Sequence, residues 1–281
     1  MSALDLCRPQ TARAVARRFG LSPSRALSQS FVVDRGVRDE IAGRASASAP
    51  VLEIGPGLGA LTQGLLGRGL EVVAVEIDRR CVAALRLLRA EPRLQVVEAD
   101  ALLVEPARLG LAAGFTVMGN LPYGITGALL PRILQWRPGP GQCHLLVQRE
   151  VAQRLAAASG GWSLSTLAVR LRAEVLQQFD VPPSAFWPQP RVHSSLLTLA
   201  PHPGVDAEQE RRLLELARIV FQARRKQLHH GVARALGLRP AEAQAWLREL
   251  GLDPQRRPGS LELAEWQLLV AKLSPSRSQK R

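Results

Sequence analysis

The stretch Val-Leu-Glu-Ile-Gly-Pro-Gly-Leu-Gly, residues 51–59, indicates the fold class. Its apolar first half is typical of a buried strand, and a helix is predicted to begin at Ala60. The turn between them contains Gly55, Gly57 and Gly59, and glycine lets a ligand approach the main chain without a Cβ in the way. By itself this turn is weak evidence for a nucleotide-like ligand.

Short apolar runs on both sides of this turn alternate with helical stretches. The predicted strands are Val51–Ile54, Val72–Ile77, Leu94–Glu98, Thr116–Gly119 and Cys143–Gln148. Strands with helices between them predict an α/β fold whose parallel sheet is covered on both faces. Val192–Leu199 alternates polar and apolar residues, so we expect an antiparallel strand near an edge.

The pattern changes at residues 200–206, Ala-Pro-His-Pro-Gly-Val-Asp, and is only helical beyond them. We therefore expect a core of residues 1–204, with an N-terminal helical segment over 1–35, and a small all-helical C-terminal domain of residues 205–281. Ala207–Leu236 is predicted to form one or two helices. A further helix is predicted over Pro240–Leu250, and Ser260 is expected to cap a last helix that ends at Leu273.

The 281 residues contain 37 Lys and Arg against 24 Asp and Glu, a net charge of +13. This excess favours a polyanionic partner, either nucleic acid or an acidic membrane surface. No apolar run is long enough to span a bilayer. Asp5 and the absence of an apolar N-terminal stretch argue against a targeting signal. Cys7, Cys81 and Cys143 lack metal-ligand spacing, so we expect no metal site and a reducing, cytoplasmic location.

Two carboxylates stand at the ends of successive predicted strands. Glu76 follows Gly55 by 21 residues, where a carboxylate can accept hydrogen bonds from both hydroxyls of a ribose. Asp100 ends the next strand, where it can accept a bond from an adenine amine. Both side chains could instead cap the helices that follow, and a nicotinamide dinucleotide would fit the first two features equally well.

Gly119-Asn120-Leu121-Pro122-Tyr123 follows the next strand. The Asn120 amide oxygen and the Leu121 carbonyl can accept hydrogen bonds from an amino group, which frees its nitrogen lone pair to attack a methyl sulfonium. Pro122 fixes the turn, and Tyr123 offers a flat face for a flipped-out base.

The chain resembles the ribosomal RNA adenine dimethyltransferases over nearly its whole length. The matching motifs are Ser28–Val32, the glycine turn, Gly119–Tyr123, Leu146–Val151, Val181–Phe186, Pro190–Val192 and Phe221–Lys226. The resemblance implies a Rossmann-like class I methyltransferase core, S-adenosylmethionine as methyl donor, and dimethylation of adenine without a metal. The implied partner is ribosomal RNA in a small-subunit precursor, and we expect a monomer.

The resemblance also implies roles for single residues. Those that would contact the donor are Ser30, Val32, Gly55, Gly57, Glu76, Asp100 and Asn120. Asn120, Leu121, Pro122 and Tyr123 would form the site of the target base, with Phe186 on its other face; the alternative for Phe186 is a core aromatic under a proline-rich turn. The family commonly has Asn where Ser30, Gly124 and His230 stand here.

Arg211, Arg218 and Arg225 recur every seven residues and lie along one side of a predicted helix. Arg224 and Lys226 extend this charge. Such a stripe suits RNA phosphates, although a run of charge is more often a solvated face. We expect Arg218, Arg224, Arg225 and Lys226 to bind RNA.

Three functions are compatible with these patterns. The first is dimethylation of adjacent adenosines in small-subunit ribosomal RNA, with a role in ribosome biogenesis. The second is a large-subunit methyltransferase of the macrolide-resistance type, to which Ser28 and Gly161–Ser163 are similar. The third is a non-enzymatic RNA- or DNA-binding relative, against which the intact Asn120–Tyr123 motif argues. The helical tail favours the first over the second.

Overall fold

The computed structural model describes residues 5–23, 29–88, 91–158, 160–204 and 206–273. Ser28 and the basic tail 274–281 therefore lie outside the described residues. The described chain forms two compact units. The first contains the residues up to Gln153 together with Glu174–Pro201, and the second contains Arg154–Ala173 together with the residues from His202 onward.

The described strands include the six predicted ones, close to their expected positions, and three that were not predicted. They are β1 (Phe31–Val32), β2 (Val51–Ile54), β3 (Val72–Glu76), β4 (Leu94–Glu98), β5 (Thr116–Asn120), β6 (Gln142–Gln148), β7 (Ala173–Val181), β8 (Phe186–Trp187) and β9 (Ser194–Pro201). The helices are α1 (Pro9–Arg18), α2 (Arg35–Ala42), α3 (Ala60–Gly67), α4 (Arg79–Leu85), α5 (Thr126–Ile133), α6 (Arg149–Ala156), α7 (Leu164–Arg170), α8 (Ala207–Gln222), α9 (Leu228–Leu236), α10 (Pro240–Glu249) and α11 (Leu263–Ala271).

A seven-stranded sheet in the order β4-β3-β2-β5-β6-β9-β7 forms the centre of the first unit. The pairs β2–β3, β3–β4, β2–β5 and β5–β6 are parallel. From β2 the chain builds outward through β3 and β4 and then returns to the other side of β2 with β5. This reversal separates the loops after β2 and β5, and ligands of open α/β sheets bind at such a switch point.

As expected, β9 is antiparallel and lies near an edge of the sheet: it pairs with β6 and stands in the last place but one. Beyond it lies β7, which the sequence analysis did not predict. Its sequence, Ala-Glu-Val-Leu-Gln-Gln-Phe-Asp-Val, contains Ala, Glu and Asp, which are uncommon in strands. Pairing with the rest of the sheet overrides this preference.

The second unit has its own helical core around the fully buried Trp266, which stacks on Phe221 at 5.3 Å between ring centroids. This core includes Trp162 and residues of α7 as well as those of α8 to α11. The structure thus divides the chain differently from the expected single boundary at residue 204. Trp162 and Leu167 are too apolar to stay exposed, and they are buried in the same cluster as Leu213.

Residues 207–236 form two helices, one of the two expected arrangements, but the predicted course of the arginine stripe and the predicted cap of the last helix were wrong. Helix α8 ends at Gln222, so Arg225 lies in the turn after it and does not continue the stripe of Arg211 and Arg218. The last helix is capped by Glu262 rather than Ser260, because Glu262 and Glu265 form a capping box. No helix in the described ranges combines the length and apolarity that a membrane span requires.

Candidate active site

The turn after β2 depends on its glycines. Gly55, Gly57 and Gly59 all have positive φ, of 65°, 58° and 91°. A Cβ on Gly57 would lie 2.6 Å from the ring of Phe31, so a larger residue cannot be placed there without moving the ring. The turn is therefore held close to β1 and presents bare main chain at the switch point.

Glu76 ends β3 beside this turn and is only 7% exposed. Its Oε2 accepts a hydrogen bond from the main-chain N–H of Gly57 at 3.0 Å, and its Oε1 accepts bonds from Ile77 and Asp78 at 2.9 Å each. Burial raises the pKa of Glu76, and these hydrogen bonds oppose that rise. A carboxylate has about four acceptor positions, so capacity for a ligand hydroxyl remains.

Neither Glu76 nor Asp100 caps a following α-helix, which was the alternative to a ligand-binding role. The N-cap of α4 is Asp78, which accepts a bond from the N–H of Arg80, so Glu76 does not cap that helix. Asp100 accepts a hydrogen bond from Leu102 at 2.9 Å within a turn, with no α-helix directly after it. Both carboxylates hold turns and both line the same cleft.

This cleft is open to solvent, and its empty space together with the solvent at its mouth measures about 950 Å³. Besides Gly55, Gly57, Glu76, Asp100 and Asn120, it is lined by residues that the sequence analysis did not single out, among them Gln29, Ile77, Ala101, Leu102 and Ile125. Ile77 is 53% exposed, which is unusual for isoleucine. Its position directly after Glu76 is the feature of the sequence that could have predicted an apolar wall of the cleft.

Asn120 stands at the end of β5, next to the glycine turn. Its Nδ2 donates a hydrogen bond of 2.6 Å to the main-chain carbonyl of Ser30. Its Oδ1 is buried and has no hydrogen-bond partner among the described residues. A buried acceptor without a partner costs about 1–3 kcal/mol, so it marks a position where a ligand donor is expected.

The turn after Asn120 is anchored at several points. Leu121 is buried and donates its N–H to the carbonyl of Leu146 at 3.0 Å. The carbonyl of Pro122 accepts bonds from the N–H of Ile125 and the hydroxyl of Thr126. These contacts fix the main chain on which Asn120 is mounted, so its amide is positioned before any ligand arrives.

Tyr123 is half-buried, and its hydroxyl lies 2.9 Å from Oγ of Ser194. Burial raises the pKa of Tyr123, so the phenol stays neutral near pH 7. Tyr123 is not among the residues that line the cleft, whereas its neighbour Gly124 is.

Two predicted site residues belong to the core instead. Phe186 is 3% exposed and pairs with Val32 where β8 meets β1. Both side chains lie in the same apolar cluster, so Phe186 offers no free face to a base and Val32 does not line the cleft. The prediction that Phe186 stacks on the base was therefore wrong for this structure, because strand pairing buries the ring.

In the second unit, Arg218, Arg224, Arg225 and Lys226 are exposed and form no ion pair with any described residue. Arg211, by contrast, is paired with both Glu208 and Glu215. Within the described ranges no three His, Cys, Asp or Glu side chains are grouped in a way that could hold a metal ion.

Comparison with known proteins agrees with this geometry. The ribosomal RNA adenine dimethylase family model matches residues 22–271. Ribosomal RNA small subunit methyltransferase A of Anaeromyxobacter dehalogenans (strain 2CP-C) is 40% identical over 274 residues, which cover 92% of this chain and 95% of that one. The protein of the same name from Dehalococcoides mccartyi is 34% identical over 264 residues, 92% of this chain and 91% of that one.

Two solved structures are similar at 26% identity and a TM-score of 0.67. They are 23S rRNA methyltransferase ErmE, over 86% of this chain and 98% of that one, and a dimethyladenosine transferase from Plasmodium falciparum, over 86% and 96%. With a glycine turn, strand-end carboxylates and an unpaired Asn120 acceptor around one cleft, and a family model that spans nearly the whole sequence, this chain belongs to the ribosomal RNA adenine dimethylase family.

Proposed function

We propose that this chain dimethylates the exocyclic amines of adenosines in small-subunit ribosomal RNA, with S-adenosylmethionine as donor, and thereby acts in ribosome biogenesis. The observation that carries the chemistry is the unpartnered Oδ1 of Asn120. It lies at the cleft where an amine must be held for methyl transfer, and an amine hydrogen would satisfy it.

The cleft fits the donor. Gly55 and Gly57 leave the main chain accessible, Glu76 has acceptor capacity for the ribose hydroxyls, and Asp100 can accept from the adenine amine. Ile77 supplies an apolar wall. When bound, S-adenosylmethionine supplies a methyl group on a positively charged sulfur.

Asn120 and Leu121 would prepare the target amine. Hydrogen bonds from the amine to Oδ1 of Asn120 and to the carbonyl of Leu121 draw its lone pair out of conjugation with the ring. This nitrogen would then accept the methyl group that the bound donor supplies, and the methylated amine would release a proton. No strong base is needed, so the rate comes mainly from alignment and desolvation. The target base would stack on the ring of Tyr123.

The choice of subunit does not follow from the fold, because the large-subunit enzyme ErmE has the same architecture. The relatives with higher identity are named small-subunit enzymes, which favours that substrate. The unpaired Arg224, Arg225 and Lys226 of the helical unit suit ribosomal RNA phosphates. We infer a monomer that acts in the cytoplasm without a metal, in keeping with three free and buried cysteines.

The test is to incubate the protein with labelled donor and separated, unmodified ribosomal subunits and then to map the modified base. Label in small-subunit RNA as dimethyladenosine supports the proposal. Label only in large-subunit RNA would assign the chain to the macrolide-resistance type. Donor binding with no label in either subunit would favour a non-enzymatic RNA-binding relative.

A further inference from the structure

Helix α1 has one buried face and one strongly basic face. Ala12, Val15 and Ala16 are buried, at the spacing that places them on one side of the helix. Arg13, Arg17 and Arg18 are exposed. The helix sequence, Pro-Gln-Thr-Ala-Arg-Ala-Val-Ala-Arg-Arg, contains no acidic residue. The exposed face therefore carries positive charge only.

These three arginines, unlike many others, have no carboxylate partner. Within the described ranges Arg13, Arg17 and Arg18 form no ion pair, whereas Arg79, for example, pairs with Glu98 at 2.6 Å. Like charges at positions i and i+4, as in Arg13 and Arg17, repel each other by a few tenths of a kcal/mol. Such a face is suited to an external polyanion that would neutralise it.

Aromatic rings lie among these charges. The guanidinium of Arg13 lies 6.0 Å from the ring centroid of Trp187, and that of Arg18 lies 5.9 Å from the ring of Phe19. Trp187 and Phe19 are both half-buried. In proteins that bind single-stranded nucleic acid, arginines contact the phosphates and neighbouring aromatic rings stack on the bases.

This surface adjoins the candidate active site within the same unit. Trp187 pairs with Phe31 in the β1–β8 ladder, and Phe31 lines the donor cleft together with Asn120. Ala12, next to Arg13 in the chain, lines a smaller cavity with Gly55 and Asn120. Successive contacts through Trp187 and Phe31 thus connect the Arg13 side chain to the residues that line this cleft.

We propose that the basic face of α1 (Arg13, Arg17 and Arg18), with the ring of Trp187, binds the phosphate backbone of the substrate RNA close to the target base. The core then holds RNA through a surface of its own, in addition to the arginines of the helical unit. The identity of the RNA rests on the function proposed above, but the electrostatic binding does not depend on its sequence. The expected kinetic role is substrate capture, so KM depends on this surface and kcat does not.

The test compares two full-length variants with the same change in charge. The first replaces Arg13, Arg17 and Arg18 with Gln. The control replaces Arg68, Arg93 and Arg137 with Gln. These arginines are exposed and precede β3, β4 and β6, so they lie at the end of the sheet opposite the cleft. Affinity is measured for unmodified small subunits and for an unrelated RNA hairpin across a series of KCl concentrations. Donor affinity and thermal unfolding are measured for each variant.

We expect the α1 variant to bind both RNAs about tenfold or more weakly than the control variant, with a salt slope that is lower by about 2. Donor affinity and kcat at saturating RNA stay at the wild-type level. Equal RNA affinity in the two variants would overturn the proposal and make α1 a solvated face. If the wild type does not methylate small subunits, the function proposed above fails, whereas the hairpin comparison still decides the role of α1.

Discussion

The side chain of Asn120 donates its amide hydrogen to the main-chain carbonyl of Ser30 at 2.6 Å, and this bond turns Oδ1 into the unpaired acceptor of the site. Ser30 takes part through its main chain, while its hydroxyl donates to the carbonyl of Pro188. The contact with Asn120 therefore uses the main chain of residue 30 and does not depend on its side chain. The amino-terminal segment thus orients the residue that we propose holds the target amine.

Replacing Asn120 with Ala is expected to reduce methylation about a hundredfold or more, because it removes an acceptor that acts on the reacting amine. Donor affinity should change much less. Single-turnover rates at saturating donor and RNA measure the first effect, and calorimetry measures the second. Near-normal turnover in the folded variant would remove Asn120 from this role.

Glu76→Gln should weaken donor binding about tenfold or more, because the charge-assisted bonds to the ribose are lost. Glu76→Ala should also lower stability, since three main-chain N–H groups lose their acceptor. The matched control is Glu98→Gln, since Glu98 pairs with Glu76 in the β3–β4 register but is exposed and does not line the cleft. Calorimetry that shows equal donor affinity in the two Gln variants would contradict the assignment.

The buried Glu53 should make stability depend on pH. Glu53 is 1% exposed and accepts a hydrogen bond from Thr62 at 2.7 Å, and burial raises its pKa from 4.5 to about 7. The folded state therefore binds this proton more tightly than the unfolded chain. The stability that the proton contributes is fully present below about pH 4.5 and is lost as pH rises through about 7.

Glu53→Gln keeps an acceptor for Thr62 and has no charge to bury. We expect the free energy of unfolding of this variant, relative to wild type, to increase by roughly 2 kcal/mol or more between about pH 5 and about pH 8. Urea unfolding at a series of pH values measures it. A difference that does not change with pH would show that Glu53 keeps an ordinary pKa.

Replacing Arg224 and Arg225 with Gln should weaken binding to small subunits and flatten its salt dependence, because fewer counterions are released from the RNA. The control, Arg211→Gln with Arg239→Gln, removes the same charge from arginines already paired with glutamates. Filter binding at several salt concentrations compares the two, and donor affinity should be unchanged in both. If the control weakens RNA binding as much, net charge and not this turn decides the affinity.

Much of the core and its site could be predicted from local sequence. The turn at Gly55–Gly59, the strands around it and the polar residues at their ends occur in short segments, and parallel strands bring their carboxyl ends to one edge. The order of these segments along the chain therefore predicts that Glu76, Asp100 and Asn120 lie around one cleft, as they do in the structure.

The burial of side chains and their hydrogen-bond partners could not be predicted in this way, because both depend on residues distant in the chain. Phe186 has the sequence context of a site residue but is covered because β8 pairs with β1. Helix α7 precedes β7 yet shares the core of the helical unit. The free acceptor of Asn120 exists only because Ser30, 90 residues away, takes the donor end of the same amide. Local sequence places Glu76, Asp100 and Asn120 at neighbouring strand ends, and packing against residues distant in the chain decides which polar groups there remain free to bind.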